Sequence, residues 1–80
     1  MINFEELIKN LILPLVAYPS DVTIENISSD DSLSYKAYVN SNDLGRVIGK
    51  GGQTAKAIRT VLYAAASKEG KRIHLDILEK

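Results

Sequence analysis

The chain has 80 residues, of which 45% are hydrophobic, 10 are basic, 10 are acidic and none is cysteine. This length allows one small domain without a deep enzyme pocket, because nearly every periodic apolar residue is needed for a core. The lack of cysteine excludes disulfides and thiolate metal sites and suits a reducing cytoplasm. The longest apolar run, residues 11–18, is too short for membrane insertion, and we expect no signal peptide from the acidic beginning.

A capping signal opens the first predicted helix. Asn3 is a favourable N-cap residue, and Glu6 follows at the spacing of a capping box. Apolar residues then recur at helical intervals. We expect a helix over about residues 3–16, which Pro14 either ends or kinks, since proline removes one backbone donor.

Two strands joined by a turn are predicted next. β-branched residues indicate a strand over about residues 21–28, and apolar and polar residues alternate over about 32–40. The second strand therefore has one buried face and one exposed face. Asp30 and Asp31 lie in the serine-rich turn between the strands without a nucleophile in evidence, so we interpret them as solvated turn residues rather than acid–base groups.

The remaining segments indicate two helices around a glycine-rich loop, followed by a last alternating strand. The resulting order is α–β–β–α–α–β. We expect one α+β domain over residues 1–80, with a three-stranded sheet and the helices on one face. The predicted bounds are about 42–48 for the short helix, 49–52 for the loop, 53–68 for the long helix and 71–78 for the last strand.

The chain has a net charge of zero, but its charged residues are unevenly distributed along the sequence. Residues 1–44 contain two basic and seven acidic side chains, a balance of −5, whereas residues 45–80 contain eight basic and three acidic ones, a balance of +5. The second part is therefore a candidate surface for a polyanion. Two solvated faces of unequal charge would give the same balance.

The segment GRVIGKGGQT, which begins at Gly45, is the candidate functional motif. It is not a nucleotide-binding P-loop, because the spacing from Gly45 to Lys50 is one residue short and no Ser or Thr follows the lysine. It is not a dinucleotide fingerprint either, because Thr54 replaces the third glycine. A G-x-x-G turn fits, with backbone amides, a helix N-terminus and Lys50 available to phosphate. An ordinary helix–helix turn needs only one glycine.

The segment VIGKGGQTAKAIR, residues 47–59, resembles the signature of the K-homology (KH) domain, and the predicted element order is similar to the type II KH arrangement. The late proline of the first helix and the KEGKR link at residues 68–72 are similar to those of the bacterial, single-domain KhpA-like family. The resemblance covers the whole chain. Ala55 departs from the bulky aliphatic residue of many KH domains, and Gly51 makes the loop more flexible than usual.

This resemblance implies binding of single-stranded RNA in a groove between the two-helix unit and the second strand, with about four nucleotides held. It also implies an RNA chaperone or post-transcriptional regulator linked to cell-shape and envelope homeostasis. Such a protein acts as a homodimer, or as a heterodimer with a larger KhpB-like KH protein. No enzyme activity, cofactor, metal or small-molecule substrate is implied. The expected RNA-binding residues are Arg46, Val47, Ile48, Gly49, Lys50, Gly51, Gly52, Lys56 and Arg59.

Two other functions are weighed against RNA binding. A protein–protein interaction module could use the same groove or a sheet edge, and its complex would respond weakly to salt. A hydrolase would need a Walker Lys–Ser/Thr pair and a base, which the sequence lacks.

Tyr38 and Tyr63 could stack on bases, but packing or an interface is favoured because no pair of exposed aromatics forms a platform. His74 has no second histidine or any cysteine to complete a metal site.

Overall fold

The computed structural model describes residues 2–30 and 32–80; Met1, the first residue of the predicted domain, and Asp31, in the predicted turn, lie outside the described residues. The helices and strands follow the order α–β–β–α–α–β, which confirms the α+β class. The elements are α1 (Phe4–Ile12), β1 (Thr23–Asn26), β2 (Ser32–Val39), α2 (Ser41–Ile48), α3 (Gln53–Lys68) and β3 (Arg72–Glu79).

The three strands form one mixed sheet in the order β1–β2–β3. β1 and β2 are antiparallel, with Thr23 opposite Tyr38. β2 and β3 are parallel, with Tyr35 opposite Leu75. A parallel pair needs a long crossover connection, which α2 and α3 supply. β3 is consequently an edge strand, and both helices of the crossover contact it.

The core lies between the helices and one face of the sheet. Buried residues alternate with half-buried ones along the second half of β2 and with exposed ones along the first half of β3. The inward stripe of α3 meets this face at helical spacing. The core residues are Phe4, Ile8, Ile12, Val22, Ile24, Tyr35, Ala37, Val39, Val47, Ile58, Leu62, Ala66, Ile73 and Leu75.

The helix predicted over residues 3–16 is divided into two parts. α1 ends at Ile12, and Leu13–Leu15 form a 3-10 turn. Pro14 carries no amide hydrogen and its ring clashes with the carbonyl four residues earlier, so regular α-helical bonding stops there. The start is as expected, because Oδ1 of Asn3 accepts a hydrogen bond from the amide of Glu6 at 3.1 Å.

The strand predicted over residues 21–28 is shorter in the structure, where β1 has four residues. A 3-10 turn, Pro19–Asp21, occupies the beginning of the predicted range. At its end, Oδ1 of Asn26 accepts a hydrogen bond from the amide of Ser28 at 2.8 Å, a local bond that competes with strand pairing. The other element bounds lie within one residue of those predicted.

One apolar residue of α3 lies outside the core. Val61 is 45% exposed. The buried stripe runs through Ala55, Ile58, Leu62 and Ala66, and a residue adjacent to it in sequence is rotated by about 100° around the helix. Within residues 2–30 and 32–80, no helix combines the length and the apolar character needed to cross a membrane.

Candidate nucleic-acid interface

The glycine loop, residues 49–52, joins α2 to α3 in a sharp turn with positive φ at three glycines. Gly49, with φ 78° and ψ 168°, occupies a backbone region that is essentially restricted to glycine. A Cβ atom at Gly49 would lie 2.7 Å from Cβ of Thr54 and 2.8 Å from its amide nitrogen. At Gly51 and Gly52 a Cβ atom would meet nothing within 4 Å. The turn therefore requires glycine most strictly at Gly49.

The amides of the glycine loop divide into two groups. Gly49 donates to the carbonyl of Gly45 at 2.8 Å, Gly52 donates to that of Gly49 at 3.1 Å, and the amide at the start of α3 donates to that of Lys50. The amides of Lys50 and Gly51 take no part in these bonds, and both residues are exposed. Of the four loop residues expected to contact phosphate and sugar, Lys50 and Gly51 can therefore donate an amide without breaking a bond of the loop.

A buried carboxylate holds α2 in place. Asp43 is fully buried, and its two oxygens accept hydrogen bonds from the amides of Ala17 and Tyr18, each at 3.0 Å. These bonds tie α2 to the segment between α1 and β1. The N-cap of α2 is Asn40, whose Oδ1 accepts a hydrogen bond from the amide of Asn42 at 2.8 Å. No local signal reveals the role of Asp43, because its partners are 25 and 26 residues away.

Three of the expected basic residues are exposed around the loop. Lys50 lies at the tip, and Lys56 lies one turn into α3. Arg46 lies on the last turn of α2, with its Nη1 3.8 Å from Oδ1 of Asp43 and 64% of its side chain exposed. This ion pair leaves most of the Arg46 side chain exposed. All three cations are accessible to an anionic ligand.

The fourth expected cation, Arg59, has a structural contact as well as a charge. Arg59 is half-buried, and its Nε donates to the carbonyl of Leu75 on β3 at 3.1 Å. This bond links α3 to β3. Both α2 and α3 contact β3, so the third strand lies beside the two-helix unit. The parallel crossover, which sequence periodicity does not specify, brings this strand there.

The two aliphatic residues expected in the groove differ in exposure. Val47 is fully buried in the core, so it has no surface with which to contact a base. Ile48 is half-buried and borders the glycine loop. Ala55, on the first turn of α3, is 3% exposed and lets the two helices lie close together. Ile48 is therefore the aliphatic side chain that a nucleobase can reach here.

Two comparisons with known sequences bear on this site. A family model for the KH domain of KhpA and KhpB matches residues 5–77. This chain belongs to that family. The RNA-binding protein KhpA of Listeria monocytogenes is 53% identical over 75 residues, covering 94% of this chain and 99% of the relative. The protein of the same name from Bacillus subtilis is 36% identical over 77 residues, covering 96% and 95%. The resemblance drawn from the glycine motif is thus confirmed.

Solved structures show the same fold within a larger protein. Era in complex with MgGDPNP and nucleotides 1506–1542 of 16S ribosomal RNA aligns with a TM-score of 0.66 and 20% identity, covering 95% of this chain and 29% of that chain. Era of Aquifex aeolicus bound to GDP and AlF4− aligns with a TM-score of 0.67 and 16% identity, covering 99% and 32%. At such identity the likeness concerns the fold, which is consistent with the type II KH arrangement.

The segment of this KH domain that carries the glycine loop and α3 is basic. Between residues 45 and 68 there are five basic side chains and no acidic one. Within the described ranges 2–30 and 32–80, no three His, Cys, Asp or Glu side chains group as metal ligands. The surface therefore has the charge needed to attract a polyanion, and its donors are amides, ammonium groups and guanidinium groups.

Proposed function

We propose that this KH domain binds single-stranded RNA and that the glycine loop clamps the RNA backbone. The observation that carries the proposal is the loop tip, where Lys50 and Gly51 are exposed residues and their amides take no part in the loop's own bonds. The surrounding stretch without acidic residues supports it. So do the relatives from Listeria and Bacillus, both named RNA-binding proteins.

The phosphate contact has three components. The amides of Lys50 and Gly51 donate to phosphate oxygens, and the ammonium group of Lys50 adds a charge-assisted contact. The N-terminus of α3 contributes the positive end of its dipole. Gly49 and Gly52 shape the turn and touch the sugar–phosphate chain through their Cα atoms, because their amides are already bonded.

The residues around the loop support this contact. Arg46 and Lys56 supply further positive potential, and Arg59 borders the groove where it is bonded to β3. A base that is unstacked from its neighbours lies on Ile48, with Val47 packed beneath it in the core. About four nucleotides are held in this way, which is the usual extent of a KH contact.

The wider role proposed here rests on the family resemblance. The single domain, residues 1–80, acts in the cytoplasm as an RNA chaperone or post-transcriptional regulator without enzymatic activity, connected to cell-shape and envelope homeostasis. A four-nucleotide contact is weak, so a second domain raises the effective concentration of binding sites. We infer a homodimer, or a heterodimer with a larger KhpB-like protein.

The direct test changes Lys50 and Gly51 together to aspartate. Gly51 has φ 64° and ψ 19°, a left-handed conformation that aspartate tolerates, and there is open space around it. The fold is therefore retained, which circular dichroism checks. We expect the affinity for a random-sequence tetranucleotide pool to fall about 100-fold, because two carboxylates would face phosphate.

The matched control changes Lys9 and Asn10, both exposed on α1, to aspartate. It makes the same change in net charge on a different helix and should alter the affinity by less than about threefold, since the loop amides and Lys50 are unchanged and exposed charges are screened by salt. Unchanged binding in the folded loop variant removes the loop from the mechanism.

For about three neutralised phosphates, the log–log salt slope of the wild type should be near −2, at about −0.7 for each contact. A slope near zero favours the protein–protein module.

A further inference from the structure

The opposite end of α3 carries a surface depression that the glycine loop does not reach. It has a volume of about 320 Å³ and is lined by Tyr63, Ala66, Lys71, Arg72 and Ile73. Ala66 and Ile73 are buried, whereas Tyr63 is 48% exposed and the two basic residues are exposed. We call it the Tyr63 depression. It combines an apolar floor, an aromatic ring and two cations.

A helix-ending motif brings the two cations to this place. Gly70, with φ 69°, reverses the chain after α3. Its amide donates to the carbonyl of Ser67 at 3.0 Å, and the amide of Lys71 donates to that of Ala66 at 2.9 Å. These are the two bonds of a Schellman motif. They place Lys71 and then Arg72 against the last turns of the helix, where the small Ala66 leaves room.

One exposed stripe of α3 connects the glycine loop with the depression. Its members are three or four residues apart and so share a helix face. The distance along the axis from Gln53 to Tyr63 is about 15 Å at 1.5 Å per residue. All members are exposed and none is acidic, so nothing on the stripe repels phosphate. They are Gln53, Lys56, Thr60, Tyr63 and Ser67.

We propose that the Tyr63 depression holds one nucleotide of the RNA strand whose backbone is clamped at the glycine loop. The base stacks on the Tyr63 ring, and its phosphate contacts the ammonium group of Lys71 and the guanidinium group of Arg72. An aromatic face beside a cationic track is the combination that single-strand-binding surfaces use, and it tolerates any base. The proposal rests on the RNA binding proposed above and extends it to strands longer than four nucleotides.

The charges around the depression favour a polyanion. Two carboxylates adjoin this end of α3. Glu69 accepts a hydrogen bond from the backbone amide of Ile2 at 2.9 Å. Asp30 lies in the turn before Ser32, the residue of β2 that pairs with Arg72. The lining of the depression itself contains Lys71 and Arg72, and neither of these two carboxylates. A strand that follows the exposed stripe therefore meets two cations when it reaches the depression.

The test compares two RNA lengths on two variants. Tyr63→Leu keeps an apolar side chain and removes the ring, and the double variant Lys71→Gln with Arg72→Gln removes both cations. Fluorescence anisotropy measures binding to random-sequence RNA pools of four and twelve nucleotides. We expect Tyr63→Leu to weaken dodecanucleotide binding about tenfold and to leave tetranucleotide binding unchanged. The cation variant should also make the dodecanucleotide salt slope shallower by about 0.7, because one phosphate contact is lost.

A matched control and a second readout keep the test decisive. The variant Lys9→Gln with Lys36→Gln removes the same charge elsewhere and should leave both affinities within about twofold. Photocrosslinking of a 4-thiouridine dodecanucleotide should label Tyr63. Unchanged dodecanucleotide binding overturns the proposal, and so does an altered sedimentation coefficient of Tyr63→Leu without RNA, which makes this surface a subunit contact. Failure of the wild type to bind the tetranucleotide pool instead overturns the proposed function on which it rests.

Discussion

Two exposed turns of this molecule, the glycine loop and the turn between β1 and β2, satisfy their backbones in opposite ways. In the β1–β2 turn, Oδ1 of Asn26 accepts from the amide of Ser28 at 2.8 Å, and Oγ of Ser28 accepts from the amide of Ser34 at 3.0 Å. The amide of Ser29 donates to the carbonyl of Ser32 at 2.9 Å. Short polar side chains thus close the turn on itself.

The glycine loop has no such side chains. Its glycines permit positive φ values, and three internal bonds stabilise the turn while the amides of Lys50 and Gly51 remain outside them. A turn becomes a phosphate-binding candidate when its sequence supplies the backbone conformation, leaves amides free of internal bonds and adds a cation. The serine-rich turn uses the amides of Ser28 and Ser29 in its own bonds and carries acidic charge, so we assign it a structural role.

The largest effect on stability is expected within the glycine loop. Gly49→Ala should lower the free energy of unfolding by about 3 kcal/mol, because alanine at this position is strained and its Cβ atom meets Thr54. Gly51→Ala is the matched control, with open space around it, and should cost about 1 kcal/mol for its left-handed conformation. Urea denaturation measures both values. Equal losses would show that the turn does not need glycine specifically at Gly49.

A smaller loss of stability is expected in the β1–β2 turn. Ser28→Ala removes the acceptor for the half-buried amide of Ser34 and should lower the free energy of unfolding by about 1 kcal/mol. Binding of the tetranucleotide pool should stay within about twofold of the wild type, measured by anisotropy on the folded variant. Impaired binding would mean that the two turns are not functionally distinct.

The smallest effect is expected from reversing a charge at the β1–β2 turn. Asp30→Lys should change tetranucleotide affinity by less than about twofold at physiological salt. The turn adjoins the beginning of β3 and the glycine loop lies at the other end of α3, about 24 Å away at 1.5 Å per residue, which exceeds the Debye length of about 8 Å. A large gain in affinity would extend the binding surface to this turn.

Sequence periodicity and capping signals suffice to predict the element order and most bounds, because the apolar stripes and the glycines act locally. They also place the glycine motif between two helices. The end of regular α-helical bonding near Pro14 can be predicted from the missing amide hydrogen of proline. The 3-10 geometry of the turn that contains Pro14 cannot be predicted in this way. Local pattern therefore determines which elements form.

Tertiary contacts determine the rest of the candidate site. The anchoring of α2 by Asp43 joins residues far apart in sequence, and the bond from Arg59 to Leu75 depends on the parallel crossover. The sequence does not show which loop amides already form hydrogen bonds; only the three-dimensional structure does. Likewise, Val47 and Ile48 are equivalent in hydropathy, and the packing of α2 decides that Val47 is buried and Ile48 reaches the surface.

The most direct test of the clamp is a titration of the 15N-labelled protein with the tetranucleotide pool, followed amide by amide in 1H–15N spectra. The largest shifts should belong to Lys50 and Gly51, with smaller shifts at Gly49 and Gly52 and none at Ser29. Stationary resonances of Lys50 and Gly51 at saturating RNA, with the shifts concentrated on the β1–β2 turn or the outer face of the sheet, would contradict the account.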